Sequence, residues 1–378
     1  MDAPLLWAEI DLQAIAHNVR ELRRVTKPEA RLMAAVKANA YGHGLVEVAK
    51  TVLQSGADEL GVARIEEAVQ LREAGIDAPI LIFGKTPSSM NGLLVEFDLR
   101  PTVFSVETAE ALSKTATSNG AKIKVHLKVD TGMGRLGILP EKEKIKDIAR
   151  MANFQGIEIE GIYTHFATAD FMDKTYARNQ FDIFSEFLNQ LRKAGIDVPV
   201  KHAANSAAVI DLPETHLDMV RPGISVYGLY PSEHVHKAHV PLQPAMELKA
   251  RIIHLKRVPA GFKVSYGSTY ETKTDTTIAT IPIGYGDGYS RLLSSRGHMM
   301  IRGQRAPVAG RICMDLTMLD VGHIPDVALG DEVVIFGKQG NNSISIEEIA
   351  STLNTINYEV VTAVAARVPR IFMGNVHH

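Results

Sequence analysis

Apolar residues alternate between two rhythms along the chain as far as Tyr230. One is a set of short apolar runs. These are RLMAAV from Arg31, ELGVAR from Glu59, PILIFG from Pro79, RPTVFS from Arg100, KIKVHLKVD from Lys122, IEIEGIYTHF from Ile157, VKHAANS from Val200 and MVRPGISVYG from Met219, eight in all. The other is helical spacing. In RNQFDIFSEFLNQLRKAG, Phe181, Phe184, Leu188 and Leu191 share a face and Gly195 supplies a stop. LVEVAKTVLQSG is a similar segment, and the stretch from Asp11 predicts a capped amphipathic helix through Leu12, Ile15, Val19 and Leu22. Strands alternating with helices build βαβ units and a parallel sheet. Eight such units point to a closed barrel, a fold of about 250 residues. The count by itself leaves the open doubly wound sheet as the alternative.

PSEHVHKAHVPLQP, Pro231 to Pro244, interrupts this pattern with prolines and histidines, and marks a boundary. Beyond it, KARIIHLKRV, TTIATIPIGYG, HMMIRGQRAPVAGRI and DEVVIFG predict strands separated by Gly and Asp turns. One helical stretch, SIEEIASTLNTINYEVVTAVAARV, comes near the end. The expected fold is therefore α/β: an N-terminal (β/α)8 TIM-type barrel over residues 1–235, followed by a mainly β domain over residues 236–378.

Composition narrows the function classes. With 378 residues, 46% hydrophobic and 22% charged, the chain reads as an ordinary globular protein with room for two cores. A net charge of −2 argues against a nucleic-acid partner or an anionic membrane surface. The N-terminus lacks a basic region followed by an apolar stretch, so no export signal is expected. No apolar run reaches the roughly 18 residues of a membrane span. Cys313 is the single cysteine, which excludes an internal disulfide and suits a reducing cytoplasm.

Candidate chemistry gathers at the C-terminal ends of the predicted barrel strands. Lys37 follows the first run, Lys128 ends the fifth with Arg135 in the next loop, and His165 ends the sixth. Ser206 follows the seventh, and Arg221 and Gly223 lie in the eighth. That rim is where barrel active sites are built, and the loops after strands seven and eight commonly bind phosphate. Asn205-Ser206 and Pro222-Gly223-Ile224 offer a hydroxyl and backbone N–H groups there. A lysine in a partly buried pocket has a lowered pKa and forms Schiff bases with carbonyls. Beside a phosphate cradle, that chemistry points to pyridoxal 5′-phosphate (PLP).

Other motifs compete less well. GMGRLG, Gly132 to Gly137, fits a dinucleotide fingerprint, with Glu158 and Glu160 at suitable distance. It follows a fifth strand, however, and Pro140 delays the next helix. GYGDGY, Gly284 to Tyr289, reads as a turn. HVHKAH, His234 to His239, has metal-like spacing without an acidic or cysteine companion in sequence, and reads as a solvated connector, so no metal is expected. Cys313 reads as a buried small residue.

Taken together and in order, AVKANAYGHG, HLKVDTGMGRLG, EGIYTHFATAD, ANSAA, VRPGISVYG, VSYGSTY, TIPIGYGDG, GRICMD, INYE and RVPRIF resemble the alanine racemases along nearly the whole chain. The resemblance implies a PLP-dependent isomerase that interconverts L- and D-alanine and supplies D-alanine for peptidoglycan. It implies Lys37 as the Schiff-base lysine and one catalytic base, and Tyr266 as the second base, delivered by the partner of a homodimer. Tyr41, Ser206, Gly223, Ile224 and Tyr358 would hold the phosphate, His165 would pack on the pyridine ring, and Arg221 would bond its nitrogen. Arg135 and Met314 would contact the substrate carboxylate, and Lys128 matches a lysine that the family often carries as a carbamate. The alternatives are a broader amino-acid racemase acting on serine or basic residues, a related PLP decarboxylase, and a non-catalytic PLP carrier. A dinucleotide enzyme using GMGRLG is the remaining one.

Overall fold

The computed structural model describes residues 4–374, which fall into two compact units. One comprises Ala14–Ala40 and Leu45–Pro244. The other takes the chain up to Gln13, Tyr41–Gly44 and the chain from Ala245 onward.

Each of the eight apolar runs forms a strand. After β1 (Leu6–Asp11) come β2 (Arg31–Ala35), β3 (Glu59–Val62), β4 (Ile80–Ile82), β5 (Arg100–Val103), β6 (Ile123–Lys128), β7 (Ile157–Tyr163), β8 (Val200–His202) and β9 (Met219–Val220). Strands β2 to β9 close a barrel, and the parallel pairing of β9 with β2 rules out the open sheet. Continuous apolar runs suit such strands because helices cover the outer face and side chains fill the inner one. Met33, Leu81, Tyr163, Val200 and Met219, joined by Phe83, form part of the inner packing. The helices Leu12–Val25, Leu45–Gln54 and Thr175–Lys193 lie where helical spacing predicts them. Gly195 ends the last of these with φ +79°, a left-handed conformation that costs glycine little.

The second unit is mainly β. Its larger sheet runs Gln304–Pro307, His298–Ile301, Glu332–Gln339, Met246–Arg251, β1, Arg370–Met373. A three-stranded sheet joins His254–Val258, Thr276–Ile281 and Thr317–Asp320.

Three boundaries differ from those read in the sequence. Leu6–Asp11 does not join the barrel: as β1 it pairs antiparallel with Met246–Arg251 and parallel with Arg370–Met373. Pro231–Pro244, expected as a connector beginning a second domain at residue 236, stays with the barrel. Asn18 holds it there, donating to Val226 O and Gln243 O and accepting from Gln243 N, while His17 bonds Pro241 O. The single helix expected near the end is two, Ile346–Leu353 and Asn357–Thr362. Asn354 separates them at φ 57°. Among the described residues no helix is long and apolar enough to cross a membrane.

Candidate active site

Lys37 leaves the C-terminal end of β2 and opens an unusual turn. Ala38, Asn39, Ala40 and Tyr41 all have φ between 50° and 54°, a left-handed run. Each such non-glycine residue costs about 1–2 kcal/mol. Fixed partners hold it: Ala38 N donates to Glu67 Oε1 (2.6 Å), Ala40 N to Val36 O (2.8 Å), and Leu45 N to Asn39 Oδ1 (2.8 Å). Gly42, at φ +84°, completes the reversal; a Cβ there would lie 2.3 Å from Val361 O. This explains the small residues of AVKANAYGHG. Strain kept against a cost concentrates at functional sites. Burial, followed by the charge of Arg135, lowers the Lys37 pKa against the opposing pull of Glu67.

The loop after β6 belongs to Asp130. Its Oδ1 accepts from Gly132 N, Met133 N and Gly134 N at 2.9–3.1 Å. GMGRLG is therefore a carboxylate-centred turn that presents the exposed Arg135, and its first three backbone N–H groups are already engaged by Asp130. The dinucleotide reading has no support from it. Lys128 is buried and donates to Val129 O. Burial, then the Arg221 charge, brings its pKa to about 7.

At the ends of β8 and β9, Asn205 caps the short helix that begins at Ser206. Ser206 Oγ accepts from Gly223 N (2.8 Å) and Ser225 N (3.4 Å), which draws the two loops together. Ser225 Oγ is buried there without a hydrogen-bond partner among the described residues. Such a hydroxyl carries a desolvation cost that a bound acceptor would remove. Arg221 is fully engaged on one side: NH1 donates to His202 Nδ1, and NH2 to Thr164 O and Ala203 O. Burial lowers its pKa to about 10, which leaves it cationic at neutrality.

These groups form one electrostatic environment. Burial and then the charges of Arg221, Lys128, Arg135 and Lys37 push the His165 pKa well below its ordinary value, so the imidazole is neutral. Two arginines and two lysines of lowered pKa around a neutral histidine make a positive rim that favours anions. Lys37, Lys128, Arg135, His165, Ser206, Arg221, Gly223 and Ile224 are thus assembled within the barrel unit.

The remaining expected residues lie in the other unit. Tyr266 is 70% exposed, on a short turn in which Ser265, Gly267 and Ser268 have positive φ. Met314 is 55% exposed and its carbonyl accepts from Gly286 N. The rings of Tyr41 and Tyr358 lie 6.2 Å apart. Cys313, expected buried, is only half-buried, with Sγ 3.7 Å from Ser265 Oγ. GYGDGY is a turn as expected, shaped by Asp287, which accepts from Gly284 N.

Sequence reading missed a set of polar residues inside the barrel: Arg100, His126, Glu160 and His202. The available signal was a polar residue standing within each of four apolar runs. The acidic companion absent from the HVHKAH segment also exists in space. Asp211 Oδ1 lies 3.1 Å from His236 Nδ1, and His239 stacks on His236. Lys174 Nζ is 3.1 Å from the same carboxylate, so its charge is already balanced.

A closed parallel barrel with two lysines and two arginines at the C-terminal ends of its strands, continued by a β unit, has the make-up of a two-domain barrel enzyme. Comparison with known proteins makes this specific. Residues 10–231 match the family described as "Alanine racemase, N-terminal domain", and residues 245–372 match "Alanine racemase, C-terminal domain". The chain belongs to the alanine racemase family and is an isomerase. It is 55% identical to the alanine racemase of Methanococcus maripaludis over 97% of this chain and 98% of that one. The solved alanine racemase of Clostridium difficile 630 matches with a TM-score of 0.96 and 40% identity, covering 100% of this chain and 97% of its own. That of Bacillus anthracis, solved with bound L-Ala-P, matches with a TM-score of 0.93 and 40% identity over 99% and 96%.

Proposed function

We propose that this racemase interconverts L- and D-alanine with PLP and two bases, Lys37 and Tyr266, as a homodimer in the cytoplasm. The observation that carries the reading is the rim of the barrel. Lys37, Arg135, Lys128 and Arg221 surround a neutral His165 in the same unit as the Ser206–Gly223–Ser225 cradle.

The residues present fit PLP. The partnerless hydroxyl of Ser225 needs an acceptor, and a phosphate beside Gly223 and Ile224 would supply one. Ser206, Gly223 and Ile224, with Tyr41 and Tyr358, would hold the phosphate, His165 the face of the pyridine ring and Arg221 its nitrogen. When bound, the cofactor supplies the electron-withdrawing system that acidifies the substrate Cα–H.

Racemisation removes a proton from one face of Cα and returns one to the other, so a base must stand on each side. Lys37 Nζ would serve one face and the Tyr266 hydroxyl the other. Lysine and tyrosine both titrate near 10 when unperturbed, and a base working near neutrality needs that value lowered. Burial does this for Lys37. At the pyridine nitrogen Arg221 would keep its own proton and leave that nitrogen unprotonated, which would weaken the electron sink and limit side reactions. Arg135 and the Met314 backbone N–H would orient the substrate carboxylate.

Exposed apolar surface supports the dimer. Tyr266, Tyr285, Met314 and Leu316 are all solvent-accessible in one chain, the kind of surface that marks an interface. A second chain covering it would bring Tyr266 and Met314 to its partner's barrel.

Loss of optical rotation from L-alanine, with L-serine and a basic amino acid run beside it, tests the reaction. Rotation that persists with PLP present, or release of CO2, would overturn it. Lys128 gives a further test. Its amine is free above pH about 7 and protonated below, and only the free amine adds CO2. A carbamate carbon signal in 13C NMR after incubation with labelled bicarbonate should therefore grow as pH rises through 7. A signal absent at all pH values would contradict a carbamate role.

A further inference from the structure

Barrel interiors are ordinarily filled by branched apolar side chains. Here a hydrogen-bonded line of polar ones runs instead from β7 to the active rim. Arg221 NH1 is 2.8 Å from His202 Nδ1, His202 Nε2 is 2.8 Å from His126 Nδ1, and His126 Nε2 is 3.3 Å from Glu160 Oε2. The two histidines are 0% and 1% exposed. Glu160 is held at the far end by Arg100 Nε (2.8 Å) and Lys124 Nζ (3.2 Å). We propose that Glu160 is a positioning residue for racemisation, acting through His126 and His202 to hold the Arg221 guanidinium in place.

The direction of every bond follows from one end. A guanidinium can only donate, so His202 Nδ1 must be a bare acceptor. A neutral His202 then carries its proton on Nε2 and donates to His126 Nδ1. His126 in turn carries its proton on Nε2 and donates to the Glu160 carboxylate. A protonated imidazole at either position would set two donors against each other. Burial and the Arg221 charge keep His202 well below its ordinary pKa, and burial lowers His126. At the other end burial pushes the Glu160 carboxyl up, but the His126 hydrogen bond and the Arg100 charge outweigh it and bring it to about 2. Both ends therefore agree on one arrangement.

The line cannot deliver protons to the rim, because arginine does not surrender one. Its effect is orientation. Three of the five guanidinium N–H donors are spent on His202, Thr164 and Ala203, which leaves the rest for a ligand at the rim. Were His202 Nδ1 to carry the proton, it would repel the NH1 donor and turn the guanidinium. Gly161 is part of the same construction. A Cβ there would lie 2.4 Å from His126 Nδ1, so only glycine admits the ring.

The inference rests on Arg221 facing the cofactor nitrogen, and its test separates the two. Solid-state 15N NMR of histidine-labelled holoenzyme should show His126 and His202 with bare Nδ1 and protonated Nε2 between about pH 6 and 8. Glu160→Leu should leave the His126 Nε2–H without its acceptor, shift that 15N signal and lower kcat about tenfold, with KM within about twofold. Glu160→Gln keeps an acceptor oxygen, and should restore that signal and hold kcat within about threefold. Gly161→Ala should disturb the same two signals without changing an ionisable group. An Nδ1–H signal from either imidazole in the unaltered enzyme would overturn the proposal, as would a Glu160→Leu enzyme with the His126 Nε2 signal and kcat unchanged. Should Glu160→Leu fail to fold, the unaltered enzyme and Glu160→Gln decide. The tautomers do not depend on the ligand at the rim, so they would persist if the cofactor assignment alone were wrong.

Discussion

Lys37→Ala should lower racemisation by at least about 10⁴-fold and abolish the visible absorption of the attached cofactor. No other amine can take its place. Lys128, the other buried amine of the rim, has its Nζ on Val129 O at the end of a different strand. The left-handed turn after Lys37 is held by hydrogen bonds to Glu67, Val36 and Asn39 that involve backbone N–H groups of Ala38, Ala40 and Leu45, none of which the substitution removes. The variant should therefore fold, and unchanged circular dichroism is the control. Added methylamine should return part of the activity, since the cationic surroundings that lower an amine pKa are intact. A Lys37→Ala enzyme that kept both absorption and turnover would remove the central assignment.

Tyr266→Phe should keep the cofactor spectrum and lose about 10²- to 10⁴-fold in turnover, the usual worth of a positioned acid–base group. The loss in kcat/KM must be equal in both directions, because the enantiomers of alanine have equal free energy and an enzyme cannot alter that ratio. Isotope exchange should be less symmetric: exchange at the face served by Lys37 should persist while the other is lost. Tyr266 is also the means of testing the shared site. Mixed dimers of Lys37→Ala and Tyr266→Phe chains contain one site with both bases if the tyrosine comes from the partner. Random mixing of inactive parents should then yield about a quarter of full activity. No recovery would place both bases in one chain.

The barrel and most of its rim were legible in the sequence because they are written locally. Each apolar run became a strand at its predicted place, and a fixed strand end leaves little choice about where Lys37, Lys128, His165 and Arg221 go. Errors appear where the outcome depends on distant partners. LWAEID has too few residues to declare itself, and becomes a strand because Met246–Arg251 and Arg370–Met373 pair with it. Pro231–Pro244 looks like a free connector, but Asn18 ties it down. The late helix breaks at Asn354, whose left-handed conformation no periodicity signals.

Sequence alone determined the eight strand runs and the family, and it put the lysines, Arg221 and the serine at or just beyond strand ends; closure of the barrel waited for β9 to pair with β2. Only the tertiary structure decided that Asp130 owns the GMGRLG loop, that the Ser225 hydroxyl has no partner among the described residues, and that His126, Glu160 and His202 form a line ending on Arg221. The reason is the range of the interactions. Hydrophobic period is set by neighbours along the chain, whereas a buried polar group is specified by whichever donor or acceptor the fold brings to it.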